Sequence, residues 1–195
     1  MKICEVVELE SELNFQQDEE NINPLQWAIF NQRMNDINTL LKEGADPAQP
    51  GLQQESALHT AVKISNPDYL KSLLSFSPDV NIIHPVTLAT PLHVAVQVGR
   101  KIQVKLLLIA GANPNLVNRV GDTPLHIAAK INSPELALIL LKSGADPTLQ
   151  NKQQSTFQIY FNLTPLKIRS REMQAEYDKV NHWLKAQQVS RYYLK

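Results

Sequence analysis

The chain has 195 residues, 43% hydrophobic and 19% charged, which suits one compact domain or a short solenoid and excludes a disordered, highly charged chain. Its formal net charge of +0 excludes a global field drawing it to nucleic acid or an anionic membrane. The single cysteine, Cys4, excludes an intrachain disulfide, and no apolar run approaches the roughly 20 residues of a membrane-spanning helix.

The charge is unevenly divided. Residues 1–20 set Lys2 against seven carboxylates, whereas residues 151–195 set eight cations against three. Glu5 and Glu8 interrupt the early apolar run, so the opening does not read as a Sec-type leader. A soluble protein of the cytoplasm, a reducing compartment, is the expectation. Segment 1–21 stands outside the pattern that follows, and both a capping helix through Ile3–Leu9 and a disordered terminus stay open.

From residue 22 onward the chain repeats. Asn23-Pro24-Leu25-Gln26 returns as Ser56-Ala57-Leu58-His59, Thr90-Pro91-Leu92-His93 and Thr123-Pro124-Leu125-His126. A leucine pair closes each copy at Leu40-Leu41, Leu73-Leu74, Leu107-Leu108 and Leu140-Leu141. It is followed by Gly44-Ala45-Asp46-Pro47, the weaker Ser77-Pro78-Asp79-Val80, Gly111-Ala112-Asn113-Pro114 and Gly144-Ala145-Asp146-Pro147, with starts 33, 34 and 33 residues apart.

Each phrase has a physical reading. Thr123 can cap a helix through its hydroxyl, and Pro124 sits at the first helical position, where a missing N–H costs nothing. Ser133-Pro134-Glu135 opens a second helix in the same copy, and Asn66-Pro67-Asp68 the matching one two copies earlier. Gly44, Gly111 and Gly144 stand at the ends of the second helices, where glycine can take the left-handed conformation that closes a helix. Neither helix of a pair is long enough to stand alone, so each must stack on its neighbours.

Three phrases holding register over four copies resemble the ankyrin repeat, whose period is about 33 residues. The resemblance implies an all-α ankyrin-repeat solenoid: four clear helix-turn-helix repeats over 22–150, then a degenerate fifth and a helical C-terminal cap over 151–195. In the fifth, Ser155-Thr156-Phe157-Gln158 is laid over the Thr-Pro-Leu-His phrase with Phe157 in the leucine slot and the period slipping to 32. Thr164-Pro165 reads as a new helix start or a break, and a helix is expected from about Ser170 to Gln188 with Met173, Tyr177, Val180 and Leu184 on one face. Trp27 is expected to pack at the first end of the stack.

The resemblance also assigns His59, His93 and His126 a structural role as a ladder joining neighbouring turns, beside the structural Leu58, Pro91, Leu92, Pro124, Leu125 and the three glycines. His84 and His182 have no sequence-local partner. No metal, cofactor or catalytic residue is expected, since no ligand cluster, phosphate loop or nucleophile elbow appears.

What the resemblance implies about function is a partner protein held against the turn tips and the exposed ends of the first helices, on a concave face. Transferred copy by copy, the turn positions are Leu52, Gln53 and Glu55; Val86, Thr87 and Ala89; Arg119, Val120 and Asp122. The helix-end positions are Phe30 and Asn31, Lys63 and Ile64, Gln97 and Val98, Lys130 and Ile131. Phe30, Ile64, Val98 and Ile131 are expected to form an apolar ridge beside Leu52, Val86 and Val120. The leading expectation is a non-enzymatic adaptor or inhibitor, monomeric, binding another protein and neither nucleic acid nor the membrane interior. Two alternatives stay open: a bacterial effector of ankyrin type acting on a host protein in the host cytoplasm, and an enzyme whose site sequence does not reveal.

Overall fold

The computed structural model describes residues 22–163 and 169–187. The acidic opening segment, the Thr164-Pro165 break and the last residues of the chain lie outside the described residues. Helices alternate in pairs: α1 (Pro24–Phe30) with α2 (Met34–Lys42), α3 (Ala57–Ala61) with α4 (Asp68–Leu74), α5 (Pro91–Gln97) with α6 (Lys101–Ile109), and α7 (Pro124–Lys130) with α8 (Pro134–Lys142). α9 (Phe157–Phe161) and the longer α10 (Arg171–Ala186) complete the series. Among the described residues there is no strand, only an isolated bridge between Pro50 and Ser56.

The first helices start where the repeated phrase places them. Asn23, Ser56, Thr90 and Thr123 are the N-caps, and proline follows three of them at the first helical position. The second helices begin differently. Ser133 stands at the N-cap of α8 but makes no side-chain cap bond, because its ψ of 84° turns the hydroxyl away from the donors that Thr123, at ψ 166°, reaches. Arg33 and Arg100 adopt the same geometry before α2 and α6. At α4, Asn66 accepts from the Asp68 N–H at 2.9 Å and the helix opens at Asp68. The second helices of the clear copies close on Gly44, Gly111 and Gly144 at φ +95°, +92° and +91°; the weaker second copy holds Ser77 at φ +49° in the same slot.

The fifth copy corrects the expected register. Its N-cap is Thr156, 33 residues after Thr123, so the period does not slip and Phe157 stands in the proline slot rather than the leucine slot.

First helices stack on first helices, α1 on α3, α5, α7 and α9 in turn; second helices stack alongside from α2 to α4 to α6, and α8 against α10. Leu25, Ile29, Leu58, Leu92, Leu125 and Phe157 fill the first column, and Ile37, Leu70, Leu73, Leu107 and Leu140 the second. Each such side chain contributes about 1.5–3 kcal/mol by leaving water. α10 closes the far end with Tyr177, Val180 and Leu184 buried and Met173 packed against the core. The Tyr177 ring lies 4.2 Å from Phe161, its hydroxyl bonds to Asn132, and the Arg169 guanidinium covers it at 3.6 Å. At the near end Trp27 is half-buried against the core, with the Arg33 guanidinium 5.5 Å from its ring.

Candidate functional site

The histidine ladder runs just beneath the face formed by the first helices and the turns. In α7, the Thr123 N–H and hydroxyl both reach His126 Nδ1, at 3.2 and 2.8 Å, and Nε2 bonds to the Ser155 carbonyl at 2.9 Å. A carbonyl only accepts, so Nε2 carries the proton and Nδ1 is the acceptor. His93 repeats this with Thr90 and the Asp122 carbonyl, and His59 with Ser56 and the Ala89 carbonyl. Burial disfavours the imidazolium in all three, taking His93 from 6.5 down to about 4. With both ring nitrogens engaged, these histidines hold no lone pair for a metal.

Gln26 fills the histidine slot of the first copy. Its amide donates to the Glu55 carbonyl at 3.0 Å, and its carbonyl accepts from Leu52 N–H at 2.8 Å. At the other end the slot falls on Ile159, which is 47% exposed, and the ladder stops.

Above the ladder, paired positions eight residues apart form rungs across the concave face. Glu55 and Lys63 make an ion pair at 2.5 Å, Ala89 and Gln97 a neutral rung, and Asp122 and Lys130 a second ion pair at 2.5 Å. A concavity of about 340 Å³ lies over the central rung, lined by the expected Glu55, Lys63, Thr87, Ala89, Gln97 and Val98. The same groove is lined by His59, His84, His93, Val94, Asn118 and Ile127, none of which the repeat slots nominate.

The structure sorts the remaining nominated residues by exposure. Phe30, Val86, Val98 and Val120 stand 42–53% exposed, and Asn31, Gln53, Arg119 and Lys130 are also open to solvent. Ile64 and Ile131 are half-buried and packed against the core, and Leu52 is half-buried, so the apolar ridge is interrupted at alternate copies. Asp122 is a correction: it is 3% exposed and faces inward. Its short carboxylate is taken up by Lys130 and by Asn151 Nδ2 at 2.7 Å, whereas the longer Glu55 in the same slot reaches the rim.

The turns that frame the groove close alike but are held differently: Gly51, which bonds through its N–H to the Glu55 carbonyl at 2.8 Å, has no side chain to accept within its turn, whereas the later copies do. Asn118 bonds across its turn to Asp122, N–H to carbonyl at 2.9 Å, and its Oδ1 accepts from Val120 and Asp122 N–H at 3.1 and 3.0 Å. Asn151 does the same for Gln153 and Ser155. The third copy carries the extra residue of its 34-residue spacing here, so His84 bonds to Ala89 one position further on and Leu88 takes φ +54°. His84 Nδ1 accepts from Val86 and Thr87 N–H at 3.1 and 3.2 Å, and Nε2 donates to the Gln53 carbonyl of the preceding copy at 2.9 Å.

Residues 58–151 match the family model for ankyrin repeats, in three copies. The chain carries ankyrin repeats. Protein PhlB of Serratia liquefaciens is 47% identical over 99 residues, which is 51% of this chain and 44% of PhlB. ARF GTPase-activating protein GIT2 of Mus musculus is 38% identical over 66 residues, 34% of this chain and 9% of that protein. Palmitoyltransferase ZDHHC13 of Pongo abelii is 29% identical over 137 residues, 53% of this chain and 22% of that protein. The chain thus spans less than half the length of these relatives.

As an ankyrin stack, the molecule offers a second, convex side. A cleft of about 380 Å³ opens there between α6 and α8, lined by Lys105, Leu108, Ile109, Ile139 and Ser143, with Ile109 84% exposed. Among the described residues no group of histidines, cysteines and carboxylates converges for a metal, and no helix is long and apolar enough to cross a membrane.

Proposed function

We propose that this chain is a non-enzymatic protein-binding module, an adaptor or inhibitor, that takes its partner on the concave ankyrin face. The observation that carries the reading is the apolar surface left open there: Val86, Val98 and Val120 are each 42–53% exposed, and Val98 lines a groove that also holds the Glu55–Lys63 ion pair. Stacked repeats hold that surface rigid before contact, so little conformational entropy is lost on docking. The polar groups around the groove favour binding over catalysis, because Glu55 and Asp122 are each held by a lysine and the ladder histidines are bonded at both nitrogens. One cysteine in 195 residues leaves no intrachain disulfide for the fold to depend on, which fits a protein of a reducing compartment such as the cytoplasm.

The test is cross-linking capture with the wild-type chain and the Val98→Asp, Val120→Asp double variant, both positions being open enough to leave the core intact. Loss of the captured protein with an unchanged melting curve is the expected result. Equal capture by the folded double variant would remove the concave face as the site.

A further inference from the structure

The turn that breaks the pattern is the one at the centre of the proposed binding face. In the fourth and fifth copies an asparagine carbonyl, from Asn118 and Asn151, gathers the turn's N–H groups, and an amide carbonyl accepts at any pH. In the third copy the acceptor is His84 Nδ1, which holds the Val86 and Thr87 N–H groups. An imidazole that takes a second proton has no acceptor left. Its Nδ1–H would then face two N–H donors across a gap now filled by hydrogen bonds, while the Nε2–H bond to the Gln53 carbonyl would survive. Those two donors belong to the tip that presents Val86, 52% exposed, and the Leu88 backbone already strained at φ +54°.

We propose that His84 is a positioning residue, an acid-sensitive clasp that fixes the central turn of the concave face near neutral pH and releases it on acidification. The inference rests on the concave-face reading for its consequence, that partner binding weakens in acid, but not for its physical content. The groups facing His84 are few. From α3 and its flanks come Glu55 and Lys63, paired with each other at 2.5 Å, and His59, whose ring meets that of His84 edge-on at 6.3 Å. From α5 comes His93, and from the next turn Asn118 and Arg119, the latter bonding through its N–H to the Thr87 carbonyl at 2.8 Å. Burial holds the ladder residues His59, His93 and His126 below the ordinary histidine range.

The molecule contains its own control, because the shorter turn at 118–122 is held by the Asn118 side-chain carbonyl, an acceptor that does not titrate. Amide hydrogen exchange by NMR on the free full chain, at about pH 7.5 and about pH 5, reads both turns at once after correction for intrinsic rates. Protection at Val86 and Thr87 is expected to fall about tenfold or more in acid, as two N–H bonds are lost, while Val120 and Asp122 keep theirs. The His84→Asn variant, which supplies the same carbonyl acceptor as Asn118, is expected to hold Val86 and Thr87 equally at both pH values. Unchanged protection at Val86 and Thr87 in the wild type overturns the proposal, and so does a fall shared by Val120 and Asp122. No partner enters this measurement, so its failure leaves the concave-face reading to be judged by the Val98 and Val120 variant.

Discussion

Histidine takes two distinct parts in this stack, and its surroundings decide which. In the ladder, the ring is buried and its two nitrogens join one repeat to the next, so the neutral form is built into the fold. The linkage follows from His93, lowered from 6.5 to about 4. Between those values the unfolded chain binds a proton that the folded chain refuses, so stability is at full strength above pH 6.5 and drains away as the pH falls towards 4. His93 alone is expected to remove about 3 kcal/mol across that window, with His59 and His126 adding in the same direction. Gln26 shows how to separate the bonds from the charge, since its amide satisfies the same slot without titrating. Urea denaturation of His93→Gln from pH 7 to pH 4 should therefore show a shallower loss than the wild type. Parallel curves would mean that acid acts elsewhere.

At the scale of the element, the two final first helices differ in one hydroxyl. Thr123 Oγ1 accepts the His126 N–H and donates to its ring, whereas Thr156 Oγ1, at 1% exposure, makes no cap bond and has no partner among the described residues. Valine has nearly the same shape. Thr123→Val is expected to cost about 1–2 kcal/mol, and Thr156→Val to be neutral or slightly stabilising because a buried unpaired hydroxyl is removed. Thermal unfolding of the two variants checks this, and equal losses would refute it. The same contrast explains what was legible beforehand. Where N-cap, proline, histidine and glycine recur together, as from Thr123 to Gly144, local chemistry alone places both helices. In the fifth copy proline and histidine are absent and Ser155 and Thr156 are both competent caps, so only the Ser155 carbonyl meeting His126 settles the register. The concave face was legible as a set of slots, but not their depth: Asp122 sinks because Asn151, from the next copy, reaches it. His84 was hidden because Gln53, Val86 and Thr87 converge on it only once the widened turn exists.

At the scale of the whole molecule, stability is passed from neighbour to neighbour, because the main contacts of each helix pair are with the adjacent pair. That places a particular burden on α10, which covers the last interface. Tyr177 is its largest buried side chain, wedged against Phe161, bonded to Asn132 at the start of α8 and sheltered by Arg169. Truncation in Tyr177→Ala removes that contact and leaves a cavity, at a cost of about 3–5 kcal/mol by the scale of large aromatic deletions. In a globular domain with one core such a loss would lower the protection of every deep amide together. In a stack it should fall most steeply where the neighbour was lost, so amide exchange should accelerate strongly in α7, α8 and α9, less in α5 and α6, and least in α1 and α2. Native-state hydrogen exchange on the wild type and the variant reads this gradient directly. A uniform loss from α1 to α9 would mean that the repeats unfold as one unit, and that the rigidity offered to a partner is a property of the entire row rather than of the two or three copies beneath it.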